Sequence, residues 1–284
     1  MSANVLAIGG TDPSGAAGLC ADLKTFAALG VYGMAVTTAV VAQNGQAVHR
    51  VQPLSPALVA AQLDAVFEDV RVDAVKIGML ATAPIARTVA ARLRGHRAPR
   101  IVLDPVLGAS VGARLLAHDA LAVLRDELLP LASVLTPNLA EAAALLGEAP
   151  ATDLATMLAG AARLRAQGPA WVLLKGGHLA GPRSPDVLLG ADGMRVFDAP
   201  RLAARGDRGT GCTLASAIAA LLPSRPVPMA IEAAKRYVTL ALGASGELSV
   251  GRTRSPLQHA VRLQPSPDAD GAVRGHAADP VRCG

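Results

Sequence analysis

The sequence predicts an α/β fold with one domain, built on a doubly wound, mostly parallel central sheet with helices on both faces. Two patterns predict it. Short apolar runs without polar alternation are typical of strands buried on both faces. Along the chain they alternate with amphipathic segments of helical period. Such alternation is typical of a parallel sheet covered on two sides. The 284 residues suffice for one large domain, and a content of 51% hydrophobic but 2% aromatic residues predicts a core of Ala, Val, Leu and Ile.

The elements follow from these patterns in chain order. The first strand is predicted at 5–10, where VLAIGG ends at two glycines, and the first helix at 16–29, where Leu19, Leu23 and Phe26 recur at helical spacing. Further strands are predicted at 35–43, 72–78, 100–106, 132–137 and 171–177, and further helices at 55–70, 83–94, 113–129, from about Asn138, and after the glycine loop within 206–222. The charge-free stretch 25–48 contains glycines, threonines and amides, which favour a helix end and a buried strand over a membrane span.

Charge and cysteine content narrow the function classes. The net charge is +5, yet the 27 basic residues are scattered, and the densest cluster, at 92–100, lies in a short connector. A solvated helix end explains that cluster better than a nucleic-acid-binding surface does. The few aromatic side chains also argue against stacking on nucleic-acid bases. The three cysteines match no disulfide or zinc pattern, and the N-terminus shows no export signal. We therefore expect a cytoplasmic protein without nucleic-acid or membrane partners.

The domain is predicted to span 1–264. The remaining stretch, 265–284, has no apolar period and is rich in Pro, Gly, Ala and Asp, which predicts a disordered tail. Cys283 falls within this tail and is expected to be incidental.

Six predicted strands end in polar or glycine-rich turns, which read GGTDPSG, QNG, GML, DPVLG, TPN and KGG. In parallel α/β sheets, ligands bind at the carboxyl ends of the strands. We therefore expect these turns to converge on one cleft.

The stretch 206–222, GDRGTGCTLASAIAALL, crowds glycines against the start of a helix. Glycines allow positive φ and close approach, and the first N–H groups of a helix lack intrahelical partners, so the segment is suited to binding a phosphate. The alternative is a flexible loop before a helix capped by Thr210. For Cys212, a thiol pKa lowered by the helix dipole and an inert buried thiol are both open.

A second glycine-rich thread, GGTDPSGAAG at 9–18, follows the first strand. It matches neither GxGxxG nor the GK[ST] of a Walker loop, so a simple turn around Asp12 remains an alternative. Asp22, on the helix that this thread opens, is by default a solvated carboxylate.

Oxygen and ammonium groups also follow the strands. Asp104 ends IVLD, and Asn138 with Glu141 forms N-x-x-E, a pattern that both a helix cap and a magnesium site would explain. Lys175 in LLKGGH is either a snorkelling lysine or a phosphate-binding charge. His178 beside it is expected to be a surface or hydrogen-bonded histidine rather than a catalyst.

Taken together, these segments resemble one family, the hydroxymethylpyrimidine/phosphomethylpyrimidine kinases of thiamine biosynthesis, in the ribokinase-like superfamily. The matching motifs run in the family's order over about residues 5–245 and include AIGGTDPSGAAGLCADLKTFAALG, VKIGML, VLDPVLG, LTPNLAEAAALLG, VLLKGGHL and GTGCTLASAIAALL. The resemblance implies a homodimer that uses ATP and Mg²⁺ to phosphorylate 4-amino-5-hydroxymethyl-2-methylpyrimidine and then its monophosphate.

The resemblance also implies site residues. The amides of Gly209, Thr210, Gly211 and Cys212 form an anion hole, with Cys212 where most superfamily members have an aspartate base. Gln43, Gly10, Asp22, Met79 and Val106 are implied to face the pyrimidine. Asp104 and Glu141 are implied to organise magnesium and water together with Asn138, and Lys175 and Asn138 to face ATP.

Three features depart from the family pattern. Asp207 and Arg208 replace a Thr-His pair before GTGC, and Cys20 replaces a glutamine. The third is that no lysine follows DPV closely, and this loss bears on the second phosphorylation more than on the first. Two alternatives stay open: a pyridoxal or pyridoxine kinase of the same superfamily, which Gln43 disfavours, and a non-catalytic pyrimidine-binding protein.

Overall fold

The structure, a computed structural model, describes residues 2–109, 112–113, 115–201, 208–251 and 255–261. The predicted tail at 265–284 lies outside these residues. The nine strands are β1 (Asn4–Gly10), β2 (Tyr32–Gln43), β3 (Val48–Pro53), β4 (Ala74–Ile77), β5 (Ile101–Leu103), β6 (Val134–Leu135), β7 (Trp171–Lys175), β8 (Asp186–Gly190) and β9 (Gly193–Phe197). They form one sheet in the order β3-β2-β1-β4-β5-β6-β7-β8-β9.

The helices are α1 (Gly18–Ala28), α2 (Pro56–Asp69), α3 (Ala83–Gly95), α4 (Ala120–Val123), α5 (Leu139–Leu146), α6 (Leu154–Arg165), α7 (Thr210–Leu221) and α8 (Val227–Gly243). α4 continues through a π-helical turn, Leu124–Leu128, into a 3₁₀ turn, Leu129–Leu131, and another 3₁₀ turn, Ala244–Glu247, follows α8. Among the residues described, no helix is both long and apolar enough to cross a membrane.

The predicted fold class is confirmed. Neighbouring strands from β2 through β1, β4, β5 and β6 to β7 are parallel, while the edges are antiparallel: β3 pairs with β2, β8 with β7, and β9 with β8. The parallel centre therefore brings its strand ends together along one edge of the sheet.

Two apolar cores cover the two faces of the sheet. Because successive side chains of a strand point to opposite faces, Leu6 and Ile8 of β1 join one core and Val5 and Ala7 the other. The first core includes α2, α3, α5 and α6, and the second includes α1, α7 and α8. This division is the two-sided covering that the apolar runs predicted.

One predicted helix is wrong in its first half. The pattern at 113–129 predicted a single helix, but helical structure begins only at Ala120. The amides of Leu115 and Leu116 both donate to the carbonyl of Leu107, and the amide of Ala117 donates to Ala81. These tertiary hydrogen bonds hold the segment in a loop that the apolar spacing alone does not reveal.

Candidate active site

The carboxyl ends of the central strands converge with the start of α7. Asp104 follows β5 and Lys175 ends β7, and their Oδ1 and Nζ atoms lie 3.1 Å apart. A β-carbon built on Gly211 in the first turn of α7 would lie 3.4 Å from Lys175 Nζ and 3.8 Å from Asp104 Oδ2. The structure thus brings the ends of β5 and β7 together with the start of α7, and convergence of all six turns on one cleft stays a prediction.

Gly209 determines how α7 begins. It occupies the N-cap position with φ of 82°, and a β-carbon there would lie 1.9 Å from the carbonyl oxygen of Ala16. Only glycine fits both the left-handed backbone and this close approach. Thr210 is the first residue of the helix and not its cap, so the capping alternative is wrong. Because Gly209 has no side chain, no cap from that position covers the first amides of α7.

Cys212 lies in the same turn of α7. Burial raises the pKa of its thiol to about 11, although Lys76 and the backbone of Gly18 act to lower it; Asp22 and Asp104 raise it further. The helix start thus does not produce a reactive thiolate here, because desolvation outweighs it. At neutral pH, Cys212 carries its proton.

The strand-end carboxylates form one charged network with Lys175. Asp104 is almost fully buried, and its Oδ1 accepts hydrogen bonds from Lys175 and, at 3.3 Å, from the Thr136 hydroxyl. Burial acts to lower the pKa of Lys175, but Asp104 and Glu141 outweigh it and raise the pKa above its ordinary value. Lys175 therefore remains a cation, and a snorkelling role is excluded because its ammonium points into this network.

Asn138 and Glu141 begin α5 as a capping box. The Glu141 amide donates to Asn138 Oδ1 at 2.9 Å, and the Asn138 amide donates to Glu141 Oε2 at 2.8 Å. Burial, with a contribution from Asp104, raises the pKa of Glu141 to about 7, against the opposing effects of Lys175 and the Asn138 bond. The capping interpretation is confirmed, and the carboxyl group also belongs to the charged network.

The chemistry of these carboxyl groups fits a magnesium ion bound together with nucleotide phosphates. Within the part of the chain that the structure describes, no group of three or more His, Cys, Asp or Glu side chains could hold a metal ion. Mg²⁺ commonly uses one or two carboxylates together with substrate phosphates and waters. Asp104 and Glu141 supply two buried carboxyl groups, and a nearby cation would favour the ionised form of Glu141.

A small apolar cluster lies beside the charged network. Met79 and Val41 are buried in it and Val106 packs against it. A β-carbon on Gly10 would lie 2.9 Å from Met79 Sδ, so Gly10 lets the strand approach this cluster closely. Gln43, the last residue of β2, follows Val41 by two positions and is half-buried. The structure thus brings Gly10, Met79 and Val106 together, and their contacts with a substrate stay a prediction.

Asp22 is not the solvated helix carboxylate that the sequence favours by default. It is fully buried, and its oxygens accept bonds from Lys76 Nζ at 2.9 and 3.0 Å and from the Ser216 hydroxyl at 2.7 Å. Burial alone would lower the pKa of Lys76, but the Asp22 carboxylate raises it above its ordinary value. A substrate contact by Asp22 stays a prediction, and its carboxylate already holds Lys76 and α7 together.

Lys76 was missed as a site residue. It is 1% exposed, lies within β4, and influences the pKa of Cys212. The signal was a lone lysine in the apolar run VDAVKIG, which requires a buried partner. His178, by contrast, is exposed as expected.

A parallel α/β sheet whose carboxyl edge presents a buried lysine, two carboxyl groups and a glycine-led helix start has the features of a phosphoryl-transfer enzyme. A family profile described as phosphomethylpyrimidine kinase matches residues 12–258. The chain belongs to this family and is a kinase, so the non-catalytic alternative is wrong.

Relatives and solved structures agree with this assignment. The chain is 49% identical over 257 residues to the hydroxymethylpyrimidine/phosphomethylpyrimidine kinase of Salmonella typhimurium, covering 90% of this chain and 97% of that protein. A Bacillus subtilis pyridoxal kinase in complex with ADP has a TM-score of 0.84 at 32% identity, covering 92% and 98% of the two chains. A Clostridium difficile phosphomethylpyrimidine kinase has a TM-score of 0.75 at 37% identity, covering 84% and 98%. The ribokinase-like fold is thereby established.

Proposed function

We propose that this kinase transfers the γ-phosphoryl group of ATP to the hydroxymethyl oxygen of 4-amino-5-hydroxymethyl-2-methylpyrimidine, and then phosphorylates the resulting monophosphate. The observation that carries the proposal is the position of Gly211, within 3.4 Å of Lys175 Nζ when a β-carbon is built on it. A phosphoryl group lying there would meet helix amides on one side and a fixed cation on the other. The apolar cluster around Met79 supplies a surface for a small ring.

In this mechanism the chain mainly positions the reacting groups and neutralises the charge of the phosphates. Phosphoryl transfer passes through a loose transition state, in which charge stabilisation matters more than a strong base. Lys175 neutralises the transferring phosphoryl group, and the amides of 209–212 hold its oxygens. Cys212 faces the reaction as a neutral thiol, because its pKa is about 11. Mg²⁺, when bound, would neutralise phosphate charge, with Asp104, Glu141 and Asn138 as the residues that would hold it.

Pyridoxal phosphorylation is the second candidate. It is supported by the 0.84 TM-score to a pyridoxal kinase. Gln43 favours the aminopyrimidine, because a side-chain amide can pair with both an amino group and a ring nitrogen. Gln43 alone does not exclude a pyridine alcohol.

The test is phosphoryl transfer from Mg-ATP by the purified protein, with the hydroxymethylpyrimidine, its monophosphate and pyridoxal offered in parallel and the products separated. Turnover of both pyrimidines is the expected result. Turnover of the first pyrimidine alone would restrict the proposal to one step, and a preference for pyridoxal would replace it with the second candidate. No transfer to any of the three would contradict the proposed substrate class.

The family resemblance further supports a homodimer in the cytoplasm. The mass in solution, measured by light scattering, distinguishes a dimer from the 28.7 kDa monomer.

A further inference from the structure

Arg208 and Asp12 form a buried ion pair between the two glycine-rich segments. Arg208 Nη2 lies 3.2 Å from Asp12 Oδ2, and the residues are 5% and 0% exposed. They stand 196 positions apart in the chain. Arg208 directly precedes Gly209 at the start of α7, and Asp12 opens the turn that leads into α1. The pair therefore connects two elements that meet only in the folded protein.

The Asp12 carboxylate organises its own loop before Arg208 reaches it. Its Oδ1 accepts bonds from the Ser14 amide at 2.9 Å and from the Ser14 hydroxyl at 2.7 Å, while Oδ2 accepts from the Ala17 amide at 2.9 Å. Arg208 Nη1 also donates to the Ser14 hydroxyl at 3.0 Å. The Arg208 guanidinium thus donates hydrogen bonds to both the Asp12 carboxylate and the Ser14 hydroxyl, the two groups that organise the loop 12–17.

This loop also touches the candidate anion site directly. The carbonyl oxygen of Ala16 lies 1.9 Å from the position of a β-carbon built on Gly209, and the backbone of Gly18 is close enough to Cys212 to lower the pKa of its thiol. A displacement of the loop would therefore change both the N-cap of α7 and the surroundings of the thiol. Interiors packed this closely transmit such shifts rather than absorb them.

We propose that Arg208 is a positioning residue that locks the loop 12–17 onto the start of α7 and thereby sets the geometry of the amides at 209–212 and of Cys212. The inference rests on the proposed function. It assigns Arg208 a role other than direct neutralisation of substrate phosphates, because both of its terminal nitrogens are engaged by Asp12 and Ser14. The preceding Asp207 lies outside the described residues.

The choice of arginine follows from the geometry. Two donors on one planar group are needed to reach the carboxylate and the serine hydroxyl together. A lysine would keep the charge but present a single ammonium. Arg208→Lys is therefore expected to hold the loop 12–17 in place partly, and Arg208→Met is expected not to hold it at all.

The first measurement is steady-state kinetics on Arg208→Met, Arg208→Lys and Asp12→Asn. Arg208→Met is expected to lower kcat on the order of 10- to 100-fold, the scale of a small misplacement of reacting groups, while KM for the pyrimidine changes less than about threefold. Arg208→Lys is expected between wild type and Arg208→Met. The double variant Asp12→Asn/Arg208→Met should lose no more than the more impaired of the two single variants, because Arg208 acts through Asp12 and its loop. Arg163→Met, which breaks an exposed ion pair with Glu148, is the matched control and should leave kcat unchanged.

The second measurement needs no turnover and separates this inference from the proposed function. Hydrogen exchange followed by mass spectrometry should show faster exchange in 10–20 and 209–216 together in Arg208→Met, with the strands β4 and β5 unchanged. If the wild-type protein phosphorylates none of the substrates, the exchange rates in these two segments alone test the positioning role of Arg208. Wild-type exchange in both segments would overturn the proposal, as would additive losses in the double variant. Faster exchange throughout the molecule would reduce Arg208 to a general stability role and would also overturn it.

Discussion

At the scale of single residues, Cys212 shows two opposing effects on one thiol. The start of a helix favours a thiolate, but burial disfavours any charge, and the pKa of about 11 shows that burial dominates. Lys76 lowers this pKa without reversing the result. In the proposed mechanism, the sulfur would therefore be a neutral group close to the transferring phosphoryl group, which a loose transition state tolerates.

The first prediction concerns removal of that sulfur. Cys212→Ala is expected to lower kcat strongly while leaving the affinity for ATP nearly intact, because the backbone amides remain in place. Steady-state kinetics and ATP titration by calorimetry measure the two quantities, with Cys20→Ala as the matched control. Unchanged turnover in Cys212→Ala would remove the proposed role of the thiol.

The second prediction concerns Lys76. Lys76→Met leaves the fully buried Asp22 with Ser216 as its remaining partner among the bonds described here, so the free energy of unfolding should fall by roughly 3–5 kcal/mol. Urea denaturation measures this, and Lys24→Met, at an exposed lysine on α1, should cost much less. A loss in Lys76→Met no larger than in Lys24→Met would show that the buried pair contributes little.

Sequence reasoning found the residues that follow strands and missed one that lies within a strand. Asp104 and Lys175 could be predicted because parallel strands end along one edge. Lys76 could not be assigned a role, since its partner Asp22 is 54 positions away and on a helix that reads as solvated. The direction of the Cys212 pKa shift also required the structure, because burial depends on which segments pack over the thiol.

At the scale of elements, the parallel centre was predictable and the antiparallel edges were not. β3 and β9 are partly or mostly exposed and carry charged residues, so they lack the apolar runs that predicted the central strands, whereas β8 is buried but has an apolar run of only three residues. α6 and α8 were not specified either. The loop before α4 shows the same limit, because the amides of Leu115 and Leu116 bind the carbonyl of Leu107, the amide of Ala117 binds that of Ala81, and these bonds override a helical pattern.

The third prediction concerns the start of α7. Gly209→Ala places a β-carbon against the Ala16 carbonyl and forces a residue with φ of 82° out of its favoured region. Stability and kcat are both expected to fall, the former by roughly 1–3 kcal/mol for the backbone strain alone. Gly243→Ala is the control, because a β-carbon there meets nothing within 4 Å. Equal melting temperatures for the two variants would contradict the close approach.

The fourth prediction concerns His259, which contacts both α7 and α8. His259 bonds to the Thr213 hydroxyl at 3.0 Å, and its carbonyl accepts from Tyr237 at 2.9 Å. Burial, with a contribution from Lys24, lowers the pKa of His259 from 6.5 to about 4. The unfolded chain therefore binds the extra proton first, and stability present above pH 6.5 is lost as the pH falls toward 4, by about 3 kcal/mol.

Denaturation of His259→Asn from pH 4 to 7 tests this. The variant should be less stable than wild type at pH 7 but should lose less stability on acidification. His178→Asn, at an exposed position, should follow the wild-type pH profile. Parallel pH profiles for wild type and His259→Asn would contradict the assignment.

At the scale of the whole molecule, a segment near the end of the described chain packs against the second core and against the start of α7. Leu257 is 1% exposed within the core that contains α1, α7 and α8, and Pro256 forms a bridge with Arg208. The sequence from 265 onward has no apolar period. We propose on this basis that the folded domain ends near residue 264.

Two truncations locate that boundary. Removal of 265–284 is expected to leave the melting temperature and kcat unchanged, since the removed sequence offers no apolar period to bury. Removal of 255–284 also deletes Leu257 and His259, and it should cost at least the roughly 2–5 kcal/mol of emptying one buried leucine site. Thermal melts and turnover of both proteins provide the comparison. A large loss in the shorter truncation would place the domain boundary beyond 264, because it would mean that the tail contributes contacts to the folded core.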